Sequence, residues 1–107
     1  MTVCEARMAV RENGKELRNV GLYQDNEDVV LEAVRQFGCA LKYASDRLKG
    51  DKRIVLEAVK QDPYAIHYAD IRFYGDVDVM TEAVKQRPPL LSYAHPAIRF
   101  IVKKKTE

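Results

Sequence analysis

Three phrases of this chain are near copies of one another: VLEAVRQ at 30–36, VLEAVKQ at 55–61 and MTEAVKQ at 80–86. Glu32, Glu57 and Glu82 set the step, since 57 − 32 = 25 and 82 − 57 = 25. A second phrase keeps it: Tyr43-Ala44, Tyr68-Ala69 and Tyr93-Ala94. A fixed period of this length is the mark of stacked structural units, each too small to bury its own apolar face.

The first half of each unit has a helical period. Apolar residues fall at Val29, Val30, Ala33, Val34, then at Ile54, Val55, Ala58, Val59, then at Val79, Met80, Ala83, Val84. That spacing (i, i+1, i+4, i+5) makes one stripe on a helix, where a strand would alternate. Asn26, Asp51 and Asp76 are suited to cap the free N–H groups at the helix starts. Gly38, Pro63 and Pro88 lie two residues past Gln36, Gln61 and Gln86 and predict the helix ends.

In the second half, apolar residues recur at Ala40, Leu41, Ala44, Leu48, at Ala65, Ile66, Ala69, Phe73 and at Leu90, Leu91, Ala94, Ile98. Pro63 and Pro88 suit the first position of a helix, where a missing N–H costs nothing. Pro96 cannot lie inside an α-helix, so this half reads as two short helical turns jointed at Ser45, Asp70 and His95. Gly50 and Gly75 are expected to end the unit as C-terminal caps. The fold class predicted is all-α, a short α-solenoid of stacked 25-residue repeats of either hand.

The whole chain, 1–107, reads as a single repeat domain with repeats at 26–50, 51–75 and 76–100. A degenerate N-terminal repeat is expected at 3–25, because Ala9-Val10-Arg11 and Gly14 through Leu17 align with Ala33-Val34-Arg35 and Gly38 through Leu41 at a step of 24. Residues 101–107 read as a C-terminal tail, with Lys103-Lys104-Lys105 a solvated, disordered end. Phe100-Ile101-Val102, which replaces the Gly-Asp junction, either caps the array or marks where further units attach.

VVLEAVRQFGCALKYAS (29–45) and IVLEAVKQDPYAIHYAD (54–70) resemble a tandem-repeat family known only as a domain of unknown function, number forty-one-sixteen. Its units read roughly D-x-x-V-V-L-x-A-V-x-x-N-G-x-A-L-x-Y-A-S. The likeness runs from about Met8 to Ile98 and is looser in the third unit, where Met80-Thr81 and Pro88-Pro89 depart from the pattern. It implies an all-helical repeat module and no catalytic activity, cofactor or catalytic residue.

Composition bounds the function. With 18 Lys and Arg against 16 Asp and Glu, interspersed, net charge is +2, which gives no electrostatic case for nucleic acid as the default partner. The N-terminus, MTVCEARMAV, is too short and charged for a signal peptide, and no apolar run approaches the ~20 residues of a bilayer span. We therefore expect a cytoplasmic protein with no membrane partner, in which Cys4 and Cys39 are reduced thiols rather than a disulfide. Cys4, Cys39, His67 and His95 lack the close paired spacing of a zinc site, and no nucleophile motif or phosphate loop occurs. No metal or cofactor is expected, and the chain reads as a non-enzyme.

Residues shared between repeats build the stack, whereas residues that vary carry recognition. Tyr43, Tyr68 and Tyr93 are thus expected to pack between units, and Glu32, Glu57 and Glu82 to pair with Arg35, Lys60 and Lys85 three positions on. Gln61 and its equivalents are candidates for hydrogen bonds across unit boundaries. The variable positions give the candidate partner-binding residues Lys42, Lys52, Arg53, Tyr64, His67 and Tyr74. The leading expectation is an unidentified protein partner. The alternative is a nucleic acid or other polyanion, held by Lys52, Arg53, the Lys103–Lys105 run and exposed tyrosines.

Overall fold

The computed structural model of the protein describes residues 2–13, 17, 18 and 21–107, and is all-helical, with no strand among them. Its α-helices are α1 (Val3–Glu12), α2 (Glu27–Gln36), α3 (Asp46–Lys49), α4 (Lys52–Gln61), α5 (Val77–Gln86) and α6 (Pro96–Thr106). Short 3-10 turns fill the gaps at Gly21–Asp25, Gly38–Tyr43, Pro63–Tyr68, Ile71–Gly75 and Pro88–Tyr93.

The caps follow the sequence. Asn26 accepts from the Val29 N–H, Asp51 from that of Arg53, and Asp76 from those of Asp78 and Val79. Thr2 does the same for Glu5 at the head of α1. Each of α2, α4 and α5 stops at its glutamine. Proline forces the preceding residue to be extended, which ends α4 at Asp62 and α5 at Arg87. Ser45, Asp70 and His95 are the expected joints: their side chains accept from the N–H groups of Leu48, Arg72 and Ala97. Their own N–H groups reach back to the carbonyls of Gln24, Lys49 and Tyr74, at the same sequence offset in every unit.

Helix α1 packs on α2, α2 on α4, α4 on α5 and α5 on α6, giving a body of 47 × 22 × 15 Å. All twelve residues of the three helical stripes are buried and join one core with Leu41, Leu48, Ile66, Phe73 and Leu90. The α1 stripe adds Ala6 and Val10. Helix α1 starts at Val3 and α2 at Glu27, 24 residues on. The alignment through Gly14, Lys15 and Glu16 lies outside the described residues, as does the side chain of Cys4.

Three expectations are corrected. Residues 101–106 are helical, with Val102 fully buried, so Lys103–Lys105 form the last turn of α6 rather than a disordered tail. Phe100 stands where Gly50 and Gly75 stand, so no breaker interrupts the helix, and three cations at its C-terminus suit the macrodipole. Gly50 and Gly75 do not take the left-handed conformation of a capping glycine; the positive-φ glycine among the described residues is Gly21. A Cβ at Gly50 would lie 2.8 Å from the Arg72 guanidinium, the mobile end of a long side chain that donates to the Gly50 carbonyl. Finally, Glu32 pairs back across the helix boundary with Arg7 and Arg11, both at 3.4 Å, and Glu57 pairs with Arg35 at 3.8 Å. Stacked helices bring the preceding helix's arginines nearer than the same helix's next turn. Only Glu82 among the three keeps the expected local pair, with Lys85 at 3.1 Å.

Candidate functional site

The turns after α4 and α5 carry a surface patch of aromatic rings. Asp62 and Pro63 open the turn 63–68, which sets Tyr64 and His67 on one side. Asp70 opens the next turn and places Tyr74, and the turn 88–93 delivers Tyr93. The His67 ring meets the edge of Tyr93 with centroids 4.6 Å apart. Tyr74 lies 6.3 Å from Tyr93 and 6.2 Å from His67, and Tyr64 stacks on His67 at 6.5 Å. These are the separations at which offset and edge-to-face ring pairs attract.

His67 Nδ1 and the Tyr74 hydroxyl are 2.9 Å apart. Burial, and next the neighbouring Tyr93, push the Tyr74 phenol above its ordinary value, so it stays protonated and donates to Nδ1 whenever the imidazole is neutral with its proton on Nε2. The patch is therefore fixed by a hydrogen bond at one end, while Tyr64 and Tyr93 stay about half exposed, at 48% and 52%.

The sequence-based candidates divide into two groups. Tyr64, His67 and Tyr74 come together in this patch. Lys42 lies in the equivalent place one unit earlier, its Nζ 4.9 Å from the Tyr43 ring centre and 5.9 Å from that of Tyr68. Lys52 and Arg53 do not join them. Lys52 is held at 3.2 Å by Asp76 and at 2.8 Å by Asp78, and Arg53 pairs with Glu27. The hydrogen bonds that Lys52 donates to Asp78 and Asp76 hold its ammonium above its ordinary range, and Lys52 in turn holds Asp78 down.

Tyr93 is the residue that sequence reasoning sets aside. As one of three repeated tyrosines it is expected to pack between units, yet it joins the patch, meeting both His67 and Tyr74 with its ring half exposed. The cue is in the preceding unit. There Lys42 leans on Tyr68, just as His67, its equivalent in the next unit, leans on Tyr93. A repeated tyrosine can thus be scaffold on one edge and exposed face on the other.

Next to the patch is an open cleft of about 560 Å³ lined by Gln61, Asp62, Pro63, Tyr64, Gln86 and Arg87. Cys39, a free thiol, donates to Asp62 Oδ2 at 3.4 Å. Burial, and then the Asp62 carboxylate, push that thiol up to about 11. No cluster of three or more His, Cys, Asp or Glu suited to a metal ion occurs among the described residues. No helix among them is long and apolar enough to cross a membrane.

The architecture is thus an all-helical domain. Residues 26–74 match the model of a family described as Domain of unknown function (DUF4116), the family that the sequence resembles, and the match extends from the cap of α2 to Tyr74. Neither a curated protein nor a solved structure matches the chain.

Proposed function

We propose that this chain is a short α-solenoid of 25-residue repeats acting as a non-enzymatic interaction module for a cytoplasmic protein partner. The observation that carries the reading is the ring patch. Tyr64, His67, Tyr74 and Tyr93 come from three separate turns, are locked to one another, and yet leave two tyrosines half exposed. Rigid aromatic side chains that lose little entropy on contact are the groups that dominate protein–protein binding energy.

The polyanion alternative draws less support. Of the basic residues it relies on, Lys52 and Arg53 are already ion-paired with Asp76, Asp78 and Glu27, which leaves the exposed Lys103–Lys105 turn of α6 as its main cationic element.

The test compares wild-type protein with a His67→Ala/Tyr93→Ala double variant as matched baits in the native host extract, with a parallel arm on heparin at low salt. Proteins retained by the wild type and released by the variant are the expected result. Identical recovery by both baits, or salt-sensitive heparin retention in place of protein recovery, would overturn the reading.

A further inference from the structure

The boundaries α2/α4 and α4/α5 present the same glutamine to different residues. At the first, Gln61 closes the boundary: its Oε1 accepts the Gly38 N–H at 2.5 Å and its Nε2 donates to the Gln36 carbonyl at 3.2 Å. Glycine is what permits this approach, since a Cβ at position 38 would lie 2.5 Å from the Ala58 carbonyl oxygen and 3.0 Å from the Asp62 Cβ. At the second boundary, one unit on, Gln86 stands for Gln61 and Pro63 stands for Gly38.

Proline has no N–H to give, and its ring fills the space that glycine leaves open. Gln86 crosses the boundary by one bond: its Nε2 donates to the Val59 carbonyl of α4 at 3.0 Å, and within its own helix to that of Glu82 at 3.2 Å. Its Oε1 has no donor among the described residues. The bond that Gly38 N–H makes to Gln61 at the first boundary has no counterpart at the second, and the cleft of about 560 Å³ lies there.

We propose that this cleft binds an extended peptide segment that carries a carboxylate side chain. The inference rests on the protein-binding reading above and adds the chemistry of the ligand. Arg87 is exposed and has no carboxylate partner among the described residues, and its planar fork matches a carboxylate. Gln86 Oε1 is free to accept a peptide N–H. The half-exposed Tyr64 ring forms the apolar wall, with the buried Pro63 at its base. The acid in the cleft, Asp62, has both oxygens engaged, Oδ1 by the Tyr64 N–H at 3.0 Å and Oδ2 by the Cys39 thiol. Tyr64 also stacks on His67, so a peptide that leaves the cleft along Tyr64 runs directly onto the ring patch.

The probe is an array of N-acetylated, C-amidated dodecapeptides spanning net charges from negative to positive. The best binder is then titrated by fluorescence polarisation against wild type, Arg87→Ala, Pro63→Gly and Tyr93→Ala. Pro63→Gly restores the missing donor and lets Gln86 close the boundary as Gln61 does. The expected result is enrichment of acidic peptides, with affinity falling about tenfold in both Arg87→Ala and Pro63→Gly. Arg87→Ala alters a surface side chain, so it reads the cleft even if Pro63→Gly proves unstable by circular dichroism. Binding that survives both cleft variants but is lost in Tyr93→Ala would overturn the cleft and leave the interaction reading standing. Failure to retain any peptide, in an array where wild type binds only a control oligonucleotide, would overturn both.

Discussion

Gln61 reaches across a helix boundary to hold Gly38, accepting its N–H at 2.5 Å while donating to the carbonyl of Gln36 at 3.2 Å. One side chain therefore satisfies a donor and an acceptor that the end of α2 leaves without a helical partner.

Gln61→Ala removes both bonds at once. At about 1 kcal/mol for each, the loss is ~1–2 kcal/mol, a fall in melting temperature of roughly 5–10 °C for a domain of this size. Gln86→Ala is expected to cost a similar amount, because Pro63 has no N–H to give the buried Val59 carbonyl and the Gln86 amide supplies the missing donor at 3.0 Å. An unchanged melting temperature in Gln61→Ala would remove the cross-boundary role.

Two glycines are expected to respond in opposite ways to alanine. Gly38→Ala drives a methyl group into the Ala58 carbonyl at 2.5 Å, and overpacking of this kind costs about 1–3 kcal/mol. At Gly75 the nearest atom to an added Cβ is the His95 Cβ at 3.9 Å, and φ is not positive. Gly75→Ala is expected to be neutral or to stabilise by about 0.4–1 kcal/mol through the unfolded chain. Urea titration of both variants checks the sign of each.

How much was legible in the sequence follows from the distance over which each feature is decided. Caps at Asn26, Asp51 and Asp76, joints at Ser45, Asp70 and His95, and the stripes at Val29 to Val84 depend on neighbours within one turn, and all were readable. The partners of Glu32 were not, because Arg7 and Arg11 approach it only once α1 lies on α2. The same holds for Lys52 and Arg53, which vary between units as binding residues do, yet bridge to Asp76, Asp78 and Glu27. Variation marked three members of the ring patch, but Tyr93 repeats and was hidden by its own regularity.

Acid should weaken the fold through specific carboxylates. The Ser45 hydroxyl, and then Arg47, hold Asp25 below its ordinary value of 3.8. A carboxylate depressed in the folded state adds stability that is fully present above its unfolded value and is lost as pH falls through the folded one. Glu32 behaves alike: burial works to raise it but is outweighed by hydrogen bonds from Arg11 and Arg7, which bring it below 4.5. Asp25→Asn should therefore melt lower than wild type at pH 7, with the gap closing as pH drops below about 4. A gap of constant size from pH 7 to pH 2.5, followed by circular dichroism, would show that Asp25 is not the group responsible.

Cys39 should be a slow nucleophile. With its thiol pushed up to about 11 from an ordinary 9.0, the thiolate fraction at pH 8 is about a hundredfold below that of an unperturbed cysteine. Iodoacetamide labelling in a Cys4→Ser background is expected to slow by a similar factor and to speed up in Asp62→Asn. Labelling at the rate of a free thiol in both proteins would contradict the role given to burial and Asp62.

Each of the longer helices packs on its neighbour in sequence, from α1 to α2, α4, α5 and α6. Tension applied at the two ends of the chain is therefore carried through these interfaces in series. The weakest interface yields first, and its neighbours keep their own packing. Each 25-residue step that peels away has a contour length of roughly 80–90 Å at ~3.3–3.6 Å per residue. Under load the chain is expected to lengthen one packed helix at a time.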